Sequence, residues 1–489
     1  MTGETPAVRP GGRAAPSLRR IKLTGHRAGV GAITLLAAVA CSALGLVRLA
    51  TFRATTFDLV IVDQAVRNYA AFRPPYVPVV GAFHGRGTDY LQLADHFSPV
   101  YALLAPLYWI HDGPATLILA QAALFAAAIP FLWRFTRRVL GVTPAYLVGL
   151  AYALSWPIAQ AAAFDAHEVM FVPLLTAIMI ERYHAGRATP ALLAAIGLLL
   201  VKEDMGLIVI GFGLCLVVIG DRQRGLLVMT LGLGTVLLVR GGLILYFGGD
   251  TKDFWAYEHL GPDAPSALLA LVSDPIGAVQ LLLGAEAKID TLFLLVWPTL
   301  LLCLLSPLSL AAAPHVLVRM LADREQWWQA DFQYSAFTVV ILFCAGVDGL
   351  ARLLRRTRRS GDASLTLAWA VAVCVVALTL VPRFAFDRLH HADFYRESKA
   401  TAAAEAAAAV PPGVTVEAAN SIGPALTSKA TVLLWSGAPH GSPWVVADVA
   451  RWEFPFGSLD EQAAEVVELL AGGYVKKFER DGYVVLHRE

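Results

Sequence analysis

Apolar residues arrive along this chain in long unbroken runs, not in the spaced stripes of water-soluble helices. About 20 consecutive apolar residues cross a bilayer as a helix. Runs at 29–50, 114–134, 142–163, 168–183, 189–202, 204–220, 225–247, 289–304, 306–321, 334–351 and 365–382 therefore predict a polytopic α-helical membrane domain over 29–382, with about eleven transmembrane helices. Residues 289–321 also read as one bent element. The stretch HFSPVYALLAPLYWIH, His96 to His111, is apolar but short and holds two prolines. It predicts an interfacial or re-entrant helix. Residues 1–28, rich in Pro, Gly, Ala and Arg, predict a disordered tail. The first run lacks a small-residue cleavage site and reads as a retained span, not a signal peptide.

After Val381 the pattern changes. PPGVTVEAAN, ATVLLW and VVADV predict short buried strands. DEQAAEVVELLAGG, Asp460 to Gly473, predicts an amphipathic helix with a glycine stop. YVKKFERDGYVVLHRE predicts a hairpin turning at Asp481-Gly482. Residues 383–489 thus form a small C-terminal α/β domain with no catalytic signature of its own.

Composition sharpens the class. The 489 residues are 57% hydrophobic and 16% charged, with mean hydropathy +0.60; soluble chains carry roughly 25% charged residues. A net charge of +1 gives no reason to expect a nucleic-acid partner. The partner that composition demands is the lipid bilayer. The five cysteines, Cys41, Cys215, Cys303, Cys344 and Cys374, each sit inside an apolar run and predict no disulfide.

Charge fixes a direction. Basic clusters fall at Arg19–Lys22, Arg134–Arg138, Arg182–Arg187, Arg222–Arg224 and Arg352–Arg359. With the N-terminus cytoplasmic, the positive-inside rule places all of them on the cytoplasmic side. The outer loop at about 51–113, the turns near 165 and 203, the 248–288 loop and the C-terminal domain then lie outside.

Those outer turns collect the ionisable residues, which at membrane depth are functional candidates by default. Asp58 and Asp63 follow the first span. Asp63 is four residues before Arg67, a spacing that suits an ion pair. Asp58 has no such partner and could equally be a carboxylate favoured by a helix N-terminus. TDYLQLADHFSP adds Asp89, Asp95 and His96. FDAHEVMFVP adds Asp165, His167 and Glu168, and VKEDMG adds Lys202, Glu203 and Asp204. His315 and Arg319 share one helix face, and DFQYSAF brings Asp331, Gln333 and Tyr334. Asp95, His96, Asp165, His167 and Glu168 are of the right type for a divalent metal, or for a hydrogen-bonded network. Lys202 and Arg319 are candidates for a phosphate.

FDLVIVDQAVRN (57–68), DHFSPVYALLAPLY (95–108), FDAHEVMFVPLL (164–175), KEDMGL (202–207) and QYSAF (333–337), with ANSIGPALTSKATVLLW and PWVVADV further on, resemble a bacterial family of predicted multi-span membrane proteins of unknown function. That family is grouped with the GT-C superfamily of integral membrane glycosyltransferases. The resemblance implies a GT-C-like fold in the bacterial cytoplasmic membrane. It implies a polyprenyl-phosphate-linked sugar donor, an envelope glycan, lipid or protein acceptor, and inverting transfer at the extracytoplasmic face. It also implies an acidic base in the first outer loop, which here is Asp58. On that reading Lys202, Arg319 and His315 stabilise the leaving phosphate, and His96, His167 and Glu168 line the sugar site or hold Asp58. Many GT-C enzymes carry a closer acidic pair at this loop, so the wider spacing leaves the role of Asp63 and of any metal open. Two other readings stand beside this one: a flippase for lipid-linked sugars, and a non-catalytic scaffold.

Overall fold

A computed structural model describes residues 17–250 and 252–489. The tail expected at 1–28 lies outside the described residues up to 16, and from Ser17 onward the backbone is already helical, continuing to Ala50.

The chain is mostly helical. Among the described residues, five helices are long and apolar enough to cross a membrane: Gly25–Ala50, Pro114–Leu140, Val142–Ala163, Arg222–Tyr246 and Ala363–Arg383. The pair Ala264–Ser273 and Pro275–Leu283, bent by 105°, makes a sixth if counted as one span. The expected count of about eleven is therefore not met by full-length helices. Several of the other runs are helical but short. Ala188–Leu199 has 12 residues, which spans about 18 Å against a hydrocarbon core of about 30 Å. The run at 289–321 breaks outright, with Leu300 and Leu301 left-handed at φ 55° and 60°. Irregular backbone at this depth must be covered by protein. Here it lies against the helix Val339–Arg356, at a glycine: a Cβ on Gly349 would stand 1.9 Å from the Leu302 carbonyl oxygen.

Basic turns gather at one end of the bundle. Arg138 and Arg182 both pair with Glu181. Tyr183 and Arg224 both donate to Asp221, at 2.9 and 2.8 Å. His26 lies 3.0 Å from the Tyr146 hydroxyl and beside Trp133, over whose ring Arg137 sits. The acid-rich turns gather at the opposite end, where the C-terminal domain is seated.

That domain is a five-stranded sheet. Its strands are β1 (Thr415–Ala418), β2 (Thr431–Leu434), β3 (Trp444–Asp448), β4 (Val475–Arg480) and β5 (Tyr483–His487), in the order β2-β1-β3-β5-β4. The first three are parallel, and β5 runs antiparallel to both β3 and β4. The β4–β5 hairpin turns where expected: Asp481 and Gly482 both take positive φ, 50° and 92°, which is what a two-residue turn between twisted strands requires. The expected helix is Leu459–Ala471, capped by the Ser458 side chain on the Glu461 N–H. The Ala-rich helix Ala400–Ala409 buries Ala402, Ala403, Ala406 and Ala407.

Two apolar cores result. One fills the helical bundle. The other joins the sheet to the first outer loop, with Val60, Ala65, Val77, Val79, Val80, Tyr90 and Ala94 packing into the C-terminal domain. The loop after the first span thus shares a core with residues more than 300 positions away in sequence, as the bond between Gln64 Nε2 and the Val432 carbonyl also shows.

Candidate active site

The segment that carries Asp58 is a π-helical turn, Thr56–Val60, running into the helix Ile61–Ala70. Single π-turns of this kind concentrate at functional sites. Its entry is tied down from both domains. From the bundle side, the Thr55 N–H and hydroxyl both donate to Asp165 Oδ2, at 2.8 and 2.6 Å, and Arg48 pairs with the same carboxylate at 3.4 Å. From the C-terminal domain, the loop after β1 receives the next two residues. The Thr56 N–H donates to the Asn420 carbonyl at 2.6 Å, and the Phe57 N–H donates to Asn420 Oδ1 at 3.0 Å. A side chain at Gly423 would not fit this joint, since a Cβ there would lie 2.1 Å from Thr56 Oγ1.

Held this way, Asp58 opens onto a cavity of about 1180 Å³ between the acid-rich turns, the bent helix pair and the C-terminal domain. Of the candidate residues picked out in the sequence, all line it except Asp63, Asp89, Asp165 and Asp331. Asp58 Oδ1 accepts from His167 Nε2 at 3.1 Å. Burial disfavours an imidazolium here, but the Asp58 carboxylate outweighs it and lifts His167 to about 9. Glu168 is held by Lys202 at 2.8 Å and by the Tyr101 hydroxyl at 3.0 Å. His96 Nδ1 meets Glu203 at 2.9 Å. Glu203 is held below the usual carboxylate range, because the His96 imidazole and Lys202 overcome its burial. Asp95 is pushed up by burial. His315 Nε2 lies 3.5 Å from Asp204. Gln333 and Tyr334 complete the far wall, beside Trp327.

Three candidates are taken up by partners within the chain. Asp63 is fully buried and accepts from Arg67 at 3.0 Å, Tyr108 at 2.6 Å and Thr427 at 2.7 Å. These donors occupy its carboxylate, so it binds the loop to the C-terminal domain rather than a ligand. Asp165 is spent on Thr55 and Arg48, and acts by placing Asp58. Arg319 does line the cavity, but its three nitrogens donate to the Trp327 and Tyr334 carbonyls and the Ser335 hydroxyl. That leaves the guanidinium anchored to backbone rather than open for a phosphate.

The metal candidates do not converge. Among the described residues no group of three or more His, Cys, Asp or Glu side chains is arranged to hold a metal ion. The candidate ligands are instead paired with one another or with cations. No step is therefore routed through a metal.

The cavity also holds residues the sequence reading passed over. Trp255 and Tyr257 come from the 248–288 loop. Trp452, Phe454 and Asn420 come from the C-terminal domain, and Arg240 comes from inside a span. A signal existed for Arg240, a lone cation in an apolar run. The aromatic density of DFWAYEH was a second, since aromatic rings with a polar tip suit a wet site.

Residues 48–485 match a family described as predicted membrane protein, DUF2079. The chain belongs to that family. No curated protein matches the sequence. In fold, this DUF2079 chain is similar to ArnT from Cupriavidus metallidurans bound to undecaprenyl phosphate, with a TM-score of 0.55 and 14% identity over 94% of this chain and 97% of that one. It is also similar to the Archaeoglobus fulgidus oligosaccharyltransferase in complex with Zn and sulfate, with a TM-score of 0.49 and 12% identity over 93% of this chain and 73% of that one. At 14% identity the ArnT likeness is one of fold.

Proposed function

We propose that the chain is a membrane glycosyltransferase that moves a sugar from a polyprenyl-phosphate donor to an acceptor hydroxyl of an envelope glycan, lipid or protein. Asp58 is its general base. The observation that carries this reading is the convergence of Asp58, His167, Glu168, His96, Glu203 and Lys202 on one large cavity, with Asp58 held from both domains.

The acceptor hydroxyl is a weak nucleophile until it loses its proton. Its oxygen attacks the anomeric carbon as Asp58 takes that proton. The bond from the anomeric carbon to the phosphate oxygen breaks, and its electron pair leaves on the polyprenyl phosphate. One displacement of this kind inverts the anomeric centre. His167, a cation when paired to Asp58, keeps the carboxylate aimed. The aromatic wall of Phe57, Trp255 and Trp327 suits the apolar face of a sugar ring. The membrane is the bacterial cytoplasmic membrane, with the basic end inside and the cavity outside.

The test is a donor assay in liposomes, with radiolabelled polyprenyl-phosphate sugars and envelope extract. Wild type is expected to consume one donor, and Asp58→Asn to lose at least about 100-fold of that rate while keeping its elution profile. Full activity in Asp58→Asn removes Asp58 as the base. Movement of the lipid-linked sugar across the bilayer without consumption assigns the chain to transport.

A further inference from the structure

Arg240 stands apart from the other cations of the cavity. Lys202 is paired with Glu168, and Arg319 is anchored to backbone carbonyls. Arg324 donates to the Asp253 carbonyl at 2.8 Å and stacks on Trp327 and Phe254. Among the described residues, Arg240 is the one arginine or lysine of the cavity wall whose side chain makes no hydrogen bond or ion pair. It does so from within the span Arg222–Tyr246, whose mean hydropathy is 1.9. An arginine at that depth is expensive unless something meets its charge. The backbone there is also special: the helix opens into a π-turn at Val239–Leu243, the second π-turn on the cavity wall after that of Asp58.

The surroundings indicate where a ligand would come from. Arg240 and Val236 form one side of the cavity, while Ala264, Ala267, Leu268 and Leu271 of the bent helix pair form another. Both elements turn large apolar side chains outward, with Leu237 63% and Tyr246 81% exposed on the first, and Leu269 69% and Ile276 72% on the second. A ligand bridging this region meets a cation on the inside and lipid-facing leucines on the outside.

Resting on the glycosyltransferase reading, we propose that Arg240 receives the phosphate of an isoprenoid phosphate that enters from the bilayer between this span and the bent helix pair, its tail lying on the exposed apolar side chains. A guanidinium suits this task because it stays charged and can donate two parallel hydrogen bonds to one phosphate.

The experiment measures binding of undecaprenyl phosphate to purified full-length protein in nanodiscs, with phosphatidylglycerol and inorganic phosphate as competitors. Wild type, Arg240→Gln and Arg240→Lys run together. The proposal expects Arg240→Gln to weaken binding by at least about 10-fold, and Arg240→Lys to fall between the two. It also expects neither competitor to displace the lipid at equal concentration. The lysine variant keeps the test open should the neutral one fail to fold. Equal binding by wild type and Arg240→Gln overturns the role of Arg240 and leaves the enzymatic reading standing. Displacement by phosphatidylglycerol or by free phosphate at equal concentration overturns the isoprenoid assignment. No binding by wild type removes the proposal and the donor class together.

Discussion

Asp58 and Asp63 lie five residues apart on one segment, yet they belong to opposite kinds of place. The wall around Asp58 is open: its carboxylate is about a third exposed and faces a cavity, with His167 as its charged neighbour. The joint around Asp63 is closed: no part of that side chain reaches solvent, and its donors come from its own helix, the loop near 108 and the C-terminal domain. A carboxylate that is fully satisfied and buried has no capacity left for a ligand, whereas one that meets His167 on one oxygen and only the Thr55 hydroxyl, at 3.3 Å, on the other can still take a proton. On the proposed function, chemistry and assembly are divided between the two, and each can be broken separately.

Asp58→Asn should produce the largest change, a loss of at least about 100-fold in sugar transfer with little change in thermal stability. Asp63→Ala should do the reverse. Removing one partner of a buried charged network costs about 3–5 kcal/mol, so the variant should melt earlier and express poorly, while whatever folds turns over at close to the wild-type rate. Thermal unfolding in detergent beside turnover per folded molecule checks both, and a stable but inactive Asp63→Ala would reverse their roles.

A smaller effect tests whether the C-terminal domain aims Asp58. Asn420→Ala leaves the Phe57 N–H without its acceptor, a cost of about 1–3 kcal/mol. The result should be a fall of about 10-fold in kcat with KM little changed. A change confined to KM would make Asn420 a substrate contact instead.

The smallest effect is a dependence on pH. Because Asp58 lifts His167 to about 9 from a usual 6.5, their pairing stabilises the fold in full below about 6.5 and fades as pH rises through about 9. With both groups partly exposed, the loss should be on the order of 1 kcal/mol. Wild-type stability should therefore decline between pH 6.5 and 9 in a way that Asp58→Asn does not share. Parallel curves for the two proteins would detach the His167 proton from Asp58.

Much of the architecture was legible locally. The apolar runs marked a membrane chain, Asp481-Gly482 marked its hairpin, and DEQAAEVVELLAGG marked its amphipathic helix. The short runs left the number of spans open, because apolar composition alone does not separate a full span from a 12-residue helix. The left-handed break at Leu300–Leu301 falls in the run that also read as one bent element, but nothing local showed that a glycine on another helix would make room beside it. Most of the acids, histidines and cations picked out on those turns line one cavity. Their pairings were not legible. Arg319 looked free in sequence and is anchored, while Arg240 was absorbed into an apolar run and is open to the cavity.

The sequence by itself determined that the chain spans a membrane, that its ionisable residues concentrate at one end, and that a small α/β domain follows. Those properties follow from hydrophobicity, backbone propensity and charge, which act over a few residues at a time. Only the tertiary structure decided which aspartate faces the cavity. That choice depends on Thr427 and Asn420 arriving from more than 350 residues away to close one site and brace the other, and no local pattern records which distant segment a side chain will meet.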